Sequence, residues 1–297
     1  SHERIPGCMI FRAGDGVHAA WLAHRARVLG GLQKLAQAWS PYHRYVLGAE
    51  KAMFAHPALR AVICNSQMVA DEICRFYGVD RNRLHVIYNG VDTAMFHPGL
   101  ADEFRVPTRA QARIPESAPL LLFVGSGFER KGVPQLLRAF AKVRNQATRL
   151  VIVGADRKLK VMQALALKLG VSQRVLFTGP LKDVRPWYGA ADGFVLPTLY
   201  DPCPNAALEA FASGLPVVTS TTCGAQEWVR DGENGWVVDA VDEAALALRL
   251  DDLAGLAGDA AARAAARHGV EALTLPAMAD RLLALYRSIG GAAAGRV

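Results

Sequence analysis

Arg130 and Lys131 stand side by side in GSGFERKG (125–132), a glycine-rich turn between an apolar run and a helical stretch. Small residues let the backbone approach a ligand, the helix that follows can aim its N-terminal amides at an anion, and the two cations add charge. That is diphosphate-binding chemistry, although two basic residues in a turn are also simply solvated. A second stretch, DPCPNAALEAFASG (201–214), places Asn205 and Glu209 four apart, on one face of a helix that Pro204 opens and Gly214 ends. Asp201 lies just ahead of that helix. Two carboxylates so placed can hold two sets of hydroxyls while the amides between them face phosphate. The same residues also read as an N-cap at Asp201 and a solvated side chain at Glu209. In TGPLKDV (178–184), Leu181 is placed to lie against a base, as in any loop of that kind. In RAGDGVH (12–18), Asp15 and His18 follow an early apolar run and can orient a substrate or cap a helix.

These residues need a scaffold, and its outline is legible. From Pro119 onward, short apolar runs alternate with helical stretches: 120–125, 149–154, 174–179, 192–197, 215–220 and 235–239. Runs of this kind, mostly closed by Gly or Pro, are expected of buried parallel strands. Between them, 133–143 and 160–170 read as helices, the first with a stripe of Leu136, Leu137, Phe140 and Val143. Strand and helix in regular alternation mean a doubly wound α/β domain. The first hundred residues offer fewer strands, at 8–13, 60–66 and 85–90, with helices expected over 17–37, 41–55 and 66–77. Residues 89–118, with three prolines and two glycines, read as an interdomain connection.

Composition narrows the classes. A chain of 297 residues that is 52% hydrophobic suits two domains and excludes a disordered one. No apolar run reaches the roughly 18 residues of a membrane span. The opening SHERIPGC shows no signal-peptide pattern, and five cysteines without a C-x-x-C pair point to a reducing compartment rather than to disulfides or zinc. Net charge is +7, and residues 17–51 hold five basic residues against one acid, interleaved with Trp21, Trp39, Tyr42 and Tyr45. Basic residues among amphipathic aromatics suit an anionic membrane surface, or else a solvated helix pair with core aromatics. A nicotinamide-dependent oxidoreductase is disfavoured, since no strand is followed by G-x-G-x-x-G. Nucleic-acid binding rests on charge alone, with no recognisable module.

Three motifs in order resemble the retaining glycosyltransferases of family 4, which have the α/β GT-B fold of two Rossmann-like doubly wound domains. The D-x7-E spacing from Asp201 to Glu209 resembles that family's E-x7-E segment, GSGFERKG its diphosphate loop, and YNGVDTAMFHP (88–98) its interdomain segment. Within the family, GSGFERKG and RAGDGVH are most similar to the lipopolysaccharide-core glucosyltransferases. The resemblance implies transfer of a hexose, glucose by this likeness, from a UDP-sugar to a lipopolysaccharide core or similar glycolipid, with no metal or other cofactor. It places Gly125, Ser126, Gly127, Arg130 and Lys131 at the diphosphate, Glu209 at the ribose, and Cys203, Asn205 and Ala206 at sugar or phosphate. Leu181 joins that donor set, while Asp201, one methylene shorter than the family's Glu, contacts the transferred sugar beside Asp15 and His18. It implies an acceptor-side domain over 1–95, here lacking the family's first strand and glycine-rich loop, and a donor domain over 96–275. A helix over 276–297 is expected to pack back on the first domain. The expected location is the cytoplasmic side of the inner membrane, held there through 17–51, with no nucleic-acid partner. The alternative is a catalytically impaired donor-binding fragment, or a membrane-associated non-enzyme.

Overall fold

A computed structural model describes residues Ser1–Ala294, with side chains through Gly290, so the end of the expected 276–297 helix lies outside the described residues. The chain divides into two compact units: Ser1–Gly90 with Tyr200–Cys203 and the chain from Leu273, and Val91–Leu199 with Pro204–Ala272.

The first unit runs β1 (Ile10–Ala13), α1 (His18–Ala26), α2 (Gly31–Trp39), α3 (Pro41–Ala55), β2 (Ala61–Cys64), α4 (Gln67–Tyr77) and β3 (Leu84–Val86). The three strands are parallel in the order β1-β2-β3. The single helix expected over 17–37 is two helices. The backbone leaves α1 after Ala26 and restarts at Gly31, where the Gln33 side chain accepts the Gly30 N–H at 3.2 Å. Paired glycines carry a high helix cost, so the chain breaks there. Ser40 caps α3, with Pro41 in its first turn, and Ser66 caps α4, its hydroxyl accepting the Val69 N–H at 3.3 Å.

The second unit runs α5 (Leu100–Gln111), β4 (Leu120–Val124), α6 (Val133–Phe140), β5 (Arg149–Val153), α7 (Leu159–Lys168), β6 (Val175–Gly179) and α8 (Arg185–Ala190), then β7 (Gly193–Leu196), α9 (Asn205–Ala212), β8 (Val217–Ser220), β9 (Gly235–Val238), α10 (Glu243–Gly255) and α11 (Ala260–Val270). Its six parallel strands lie in the order β6-β5-β4-β7-β8-β9. All six expected runs are strands, and Leu136, Leu137, Phe140 and Val143 are buried. The supposed connection over 89–118 contains a helix, α5. Pro107 lies inside that helix, which is held by Arg105 and Arg109 on Asp192, at 2.7 and 2.6 Å. Last, α12 (Leu275–Ala294) returns to the first unit, where Met278, Leu282, Leu285 and Ile289 cluster with Ile63 and Ile87.

Candidate functional site

In the second unit the strand order reverses between β4 and β7, and an open α/β sheet binds ligands beyond the carboxyl ends of its strands at such a point. The loop after β4 carries Gly125–Lys131; the chain after β7 leads to α9, with Asn205, Ala206 and Glu209. Leu181 follows β6, further along the same edge, and is partly exposed.

The basic pair sits, as expected, in the turn ahead of α6, and that turn is closed by its own hydrogen bonds. Lys131 N–H bonds to Gly127 O at 3.0 Å and Val133 N–H to Phe128 O at 2.9 Å, so the first amide of α6 is already taken and Pro134 has none. Ser126 and Gly127 are exposed, and Arg130 and Lys131 half-buried. The turn is pinned to the end of β7. The Thr198 hydroxyl, at 3.0 Å, and the Leu199 N–H, at 2.8 Å, both donate to the Arg130 carbonyl. Gly132 has φ +77°, and a Cβ there would lie 1.9 Å from the Pro197 carbonyl oxygen, so only glycine fits.

Glu209 is half-buried rather than solvated, and the Tyr188 hydroxyl donates to its Oε2 at 2.8 Å and sits 3.1 Å from the Ala206 carbonyl. Burial raises its pKa above the ordinary carboxylate range, against the pull of the Tyr188 hydrogen bond and the Lys131 charge. A carboxylate kept short of solvent beside a cation suits ligand hydroxyls that replace its lost water. Pro204 takes the N-cap of α9 and leaves Asn205 exposed in the first turn. The helix ends as expected at Gly214: Gly214 N–H bonds to Phe211 O and Leu215 N–H to Ala210 O, both at 2.9 Å.

Asp201 and Cys203 belong with the first unit, not with Glu209. Asp201 is buried and is not the N-cap of α9, and the Cys203 carbonyl accepts from Asn89 Nδ2 at 3.2 Å. Their neighbour Tyr200 is buried; its hydroxyl accepts the Val17 N–H at 2.8 Å and donates to Glu72 Oε2 at 2.6 Å. Burial pushes the Glu72 carboxyl up to about 7, with that hydrogen bond pulling it down. Gly16, at φ +72°, leaves 2.3 Å between its Cβ position and the Tyr200 hydroxyl oxygen, which lets the Gly14–His18 turn close on Tyr200 and Pro202. Asp15 is exposed at the tip of that turn. His18 opens α1, its N–H donating to Glu50 Oε1 at 2.8 Å. Glu50 itself is buried and takes Arg4 Nε at 2.8 Å and the Tyr77 hydroxyl at 2.5 Å.

Tyr188, Thr198, Glu72 and Glu50 carry no motif, and Tyr200, directly ahead of Asp201 in the 201–214 motif's approach, is given no role by the sequence. The only local signal was the apolar surroundings of Tyr188 and Tyr200, each in a run that is otherwise core.

Among known proteins, the chain matches the family models for Glycosyltransferase Family 4 over residues 10–95 and Glycosyl transferases group 1 over residues 118–255. It is 32% identical over 259 residues to a D-inositol 3-phosphate glycosyltransferase of Catenulispora acidiphila, covering 82% of this chain and 60% of that one. It is 37% identical over 145 residues to the lipopolysaccharide core biosynthesis glycosyltransferase LpsE of Rhizobium meliloti, covering 49% of this chain and 42% of that one. The chain thus spans about half the length of the curated relatives it matches, 46% and 55% for two others. Among solved structures it is similar to WaaG, a glycosyltransferase involved in lipopolysaccharide biosynthesis, with a TM-score of 0.77 at 26% identity over 93% of this chain and 75% of that one. With both family models matched in order and this α/β fold shared, the chain belongs to the family 4 glycosyltransferases, of GT-B fold.

Proposed function

We propose that this chain carries the donor site of a retaining glycosyltransferase that moves a hexose, glucose in the first instance, from a UDP-sugar to a lipopolysaccharide core or similar glycolipid. The observation that carries this reading is the convergence, at the β4/β7 reversal, of a cationic turn with a half-buried carboxylate. Arg130, Lys131 and the amides of Asn205 and Ala206 neutralise the diphosphate without a metal, and Ser126, Gly127 and Gly125 let it approach. Glu209 takes the ribose hydroxyls, Leu181 lies by the base, and Cys203 and Asp201 serve the sugar. Charge grows on the leaving diphosphate in the transition state, so the two cations act as electrostatic stabilisers. Asp15 and His18 act on sugar or acceptor. The test is calorimetry with UDP against NAD, then turnover of UDP-glucose without added metal. The acceptors compared are core oligosaccharide lipid and D-inositol 3-phosphate, the second because relatives at 32% identity carry that name. UDP binding without turnover of either acceptor would mark a donor-binding protein instead.

Glu209→Gln is expected to weaken UDP by about 1.5–3 kcal/mol, the scale of hydrogen bonds to a charged group. The unliganded variant should melt higher than wild type at pH 8. A carboxyl whose native pKa is raised costs stability as pH climbs out of the ordinary glutamate range, and that cost is complete above the native value. At pH 4 the difference should vanish. Unchanged UDP affinity returns Glu209 to a structural role.

The same reading puts residues 17–51 against an anionic membrane. No helix among the described residues is long and apolar enough to cross one. However, α2 and the start of α3 expose Leu32 (84%), Leu35 (59%), Trp39 (75%), Tyr42 (66%) and Tyr45 (76%), so these aromatics are not core; Trp21 alone packs on it. Arg27, Lys34, Arg44 and Lys51 are exposed beside them. At about 1 kcal/mol per cation near an anionic surface, these supply roughly 4 kcal/mol. Cosedimentation with anionic vesicles should exceed that with zwitterionic ones and fade with salt. Charge reversal at Arg27, Lys34 and Lys51 should abolish it and leave UDP binding intact. Equal binding to both lipids sinks the electrostatic part.

A further inference from the structure

His18 opens α1, and Arg25 stands seven residues on, two turns along the same helix face. Both meet His43, from α3: His18 Nε2 lies 3.1 Å from His43 Nδ1, and Arg25 Nη1 lies 3.4 Å from His43 Nε2. The order of these contacts leaves no freedom in the protons. A guanidinium only donates, so His43 Nε2 accepts. A neutral imidazole has one N–H, which His43 must then carry on Nδ1 and donate to His18 Nε2. His18 Nε2 therefore accepts, and the remaining proton of His18 is on Nδ1. That is the reverse of the tautomer a solvated histidine side chain favours in water.

Both rings are held neutral. Burial is the largest cause lowering the His18 pKa, with His43 and Arg4 lowering it further and Glu50 opposing. Burial and then Arg25 lower that of His43. The titratable groups facing His18 are therefore Glu50, His43 and the edge-on Tyr42 ring from α3, and Arg4 from the N-terminal segment. Nδ1 of His18 has no hydrogen-bond partner among the described residues.

We propose that Arg25 and His43 are positioning residues that lock His18 in its Nδ1–H tautomer, which makes His18 a hydrogen-bond donor to a substrate oxygen and bars it from acting as a general base. With Nε2 occupied and Nδ1 protonated, neutral His18 has no free lone pair to take a proton from a hydroxyl. It can donate to a hydroxyl, ring or phosphate oxygen of the sugar or acceptor. That last role rests on the glycosyl-transfer reading; the tautomer does not.

The experiment is 15N–1H NMR of the imidazoles in the whole chain at pH 8, with turnover measured in parallel. Wild-type His18 should show the Nδ1–H pattern. His43→Leu should move it toward Nε2–H and raise its pKa, since a neighbour that lowered it is gone. His43→Gln, whose amide can still donate to Nε2, should keep the wild-type pattern. In turnover, His43→Leu should lose about tenfold in kcat/KM, one hydrogen bond's worth, and His43→Gln should recover to within about threefold. Arg25→Met, which frees His43 to take either tautomer, gives the same NMR readout should His43→Leu fail to fold. An Nε2–H pattern in the wild type, or a His18 tautomer indifferent to His43→Leu and Arg25→Met alike, overturns the proposal. Absence of turnover in every form, with the tautomers as expected, counts against the transferase reading and leaves the lock standing.

Discussion

Replacing Arg130 and Lys131 together by alanine is expected to cut UDP-glucose turnover by about 10²–10³-fold, the scale for loss of preorganised charge at a developing anion. The loss should discriminate between ligands. UDP carries the phosphate charges that the proposed function assigns to these side chains and uridine does not, so on that reading UDP affinity should fall far more than uridine affinity. Stability should change little, because both residues are half-buried on a turn pinned through backbone groups: the Arg130 carbonyl to Thr198 and Leu199, and Gly132 against Pro197. Calorimetry with both ligands, alongside a thermal melt, separates the outcomes. Equal losses for UDP and uridine would mean that the turn places the base or supports the fold.

Asp192→Ala is expected to cost about 3–5 kcal/mol of stability, the penalty for breaking a buried ion pair from one side. Asp192 is buried and takes three donors: Arg109 Nη2 at 2.6 Å, Arg105 Nη1 at 2.7 Å and the Leu120 N–H at 2.8 Å. Arg109 is also buried, and its other N–H groups reach the carbonyls of Ala190, Pro115, Glu116 and Ala118. Without the carboxylate this guanidinium keeps its dipoles but loses its counter-charge. Asp192 precedes β7 and Leu120 begins β4, so the same contact ties the two strands between which the sheet order reverses. A urea titration at 25 °C should show the midpoint fall with little change of slope. Folded Asp192→Ala at low temperature should still bind UDP, which distinguishes lost stability from a lost site. A midpoint within experimental scatter of the wild type would show that the arginines find other partners.

The strands of the second unit were legible because a parallel sheet covered on both faces demands continuous apolar runs, and FVL at 194–196 or LLLF at 120–123 can be little else. The end of α9 was legible for a local reason too: only glycine sits easily at φ +74°, and Gly214 does. By contrast, α5 was not. Its polar sequence with Pro107 inside looks like a linker, and the partner that holds its Arg105 and Arg109 is Asp192, more than eighty residues away. The membrane-facing reading of 17–51 followed from composition, but only the fold could separate Trp21, packed on the core, from Trp39, Tyr42 and Tyr45, left in solvent.

The candidate site divides along the same line. Residue type, spacing and chain order nominate Arg130, Lys131, Asp201, Glu209 and His18 as candidates, because motifs are local and their order along the chain follows the order of strands. The environment of each side chain was decided by partners that the chain does not announce. Glu209 reads equally well as a solvated helix residue until Tyr188 and burial are known, Asp201 as a cap until Pro204 takes that place, and His18 as a helix cap until its ring is found against His43. Covalent sequence carries periodicity, capping and breaks, which act over a few residues. Ionisation and tautomer depend on desolvation and on charges within a few ångströms, and those neighbours exist only once the chain has folded.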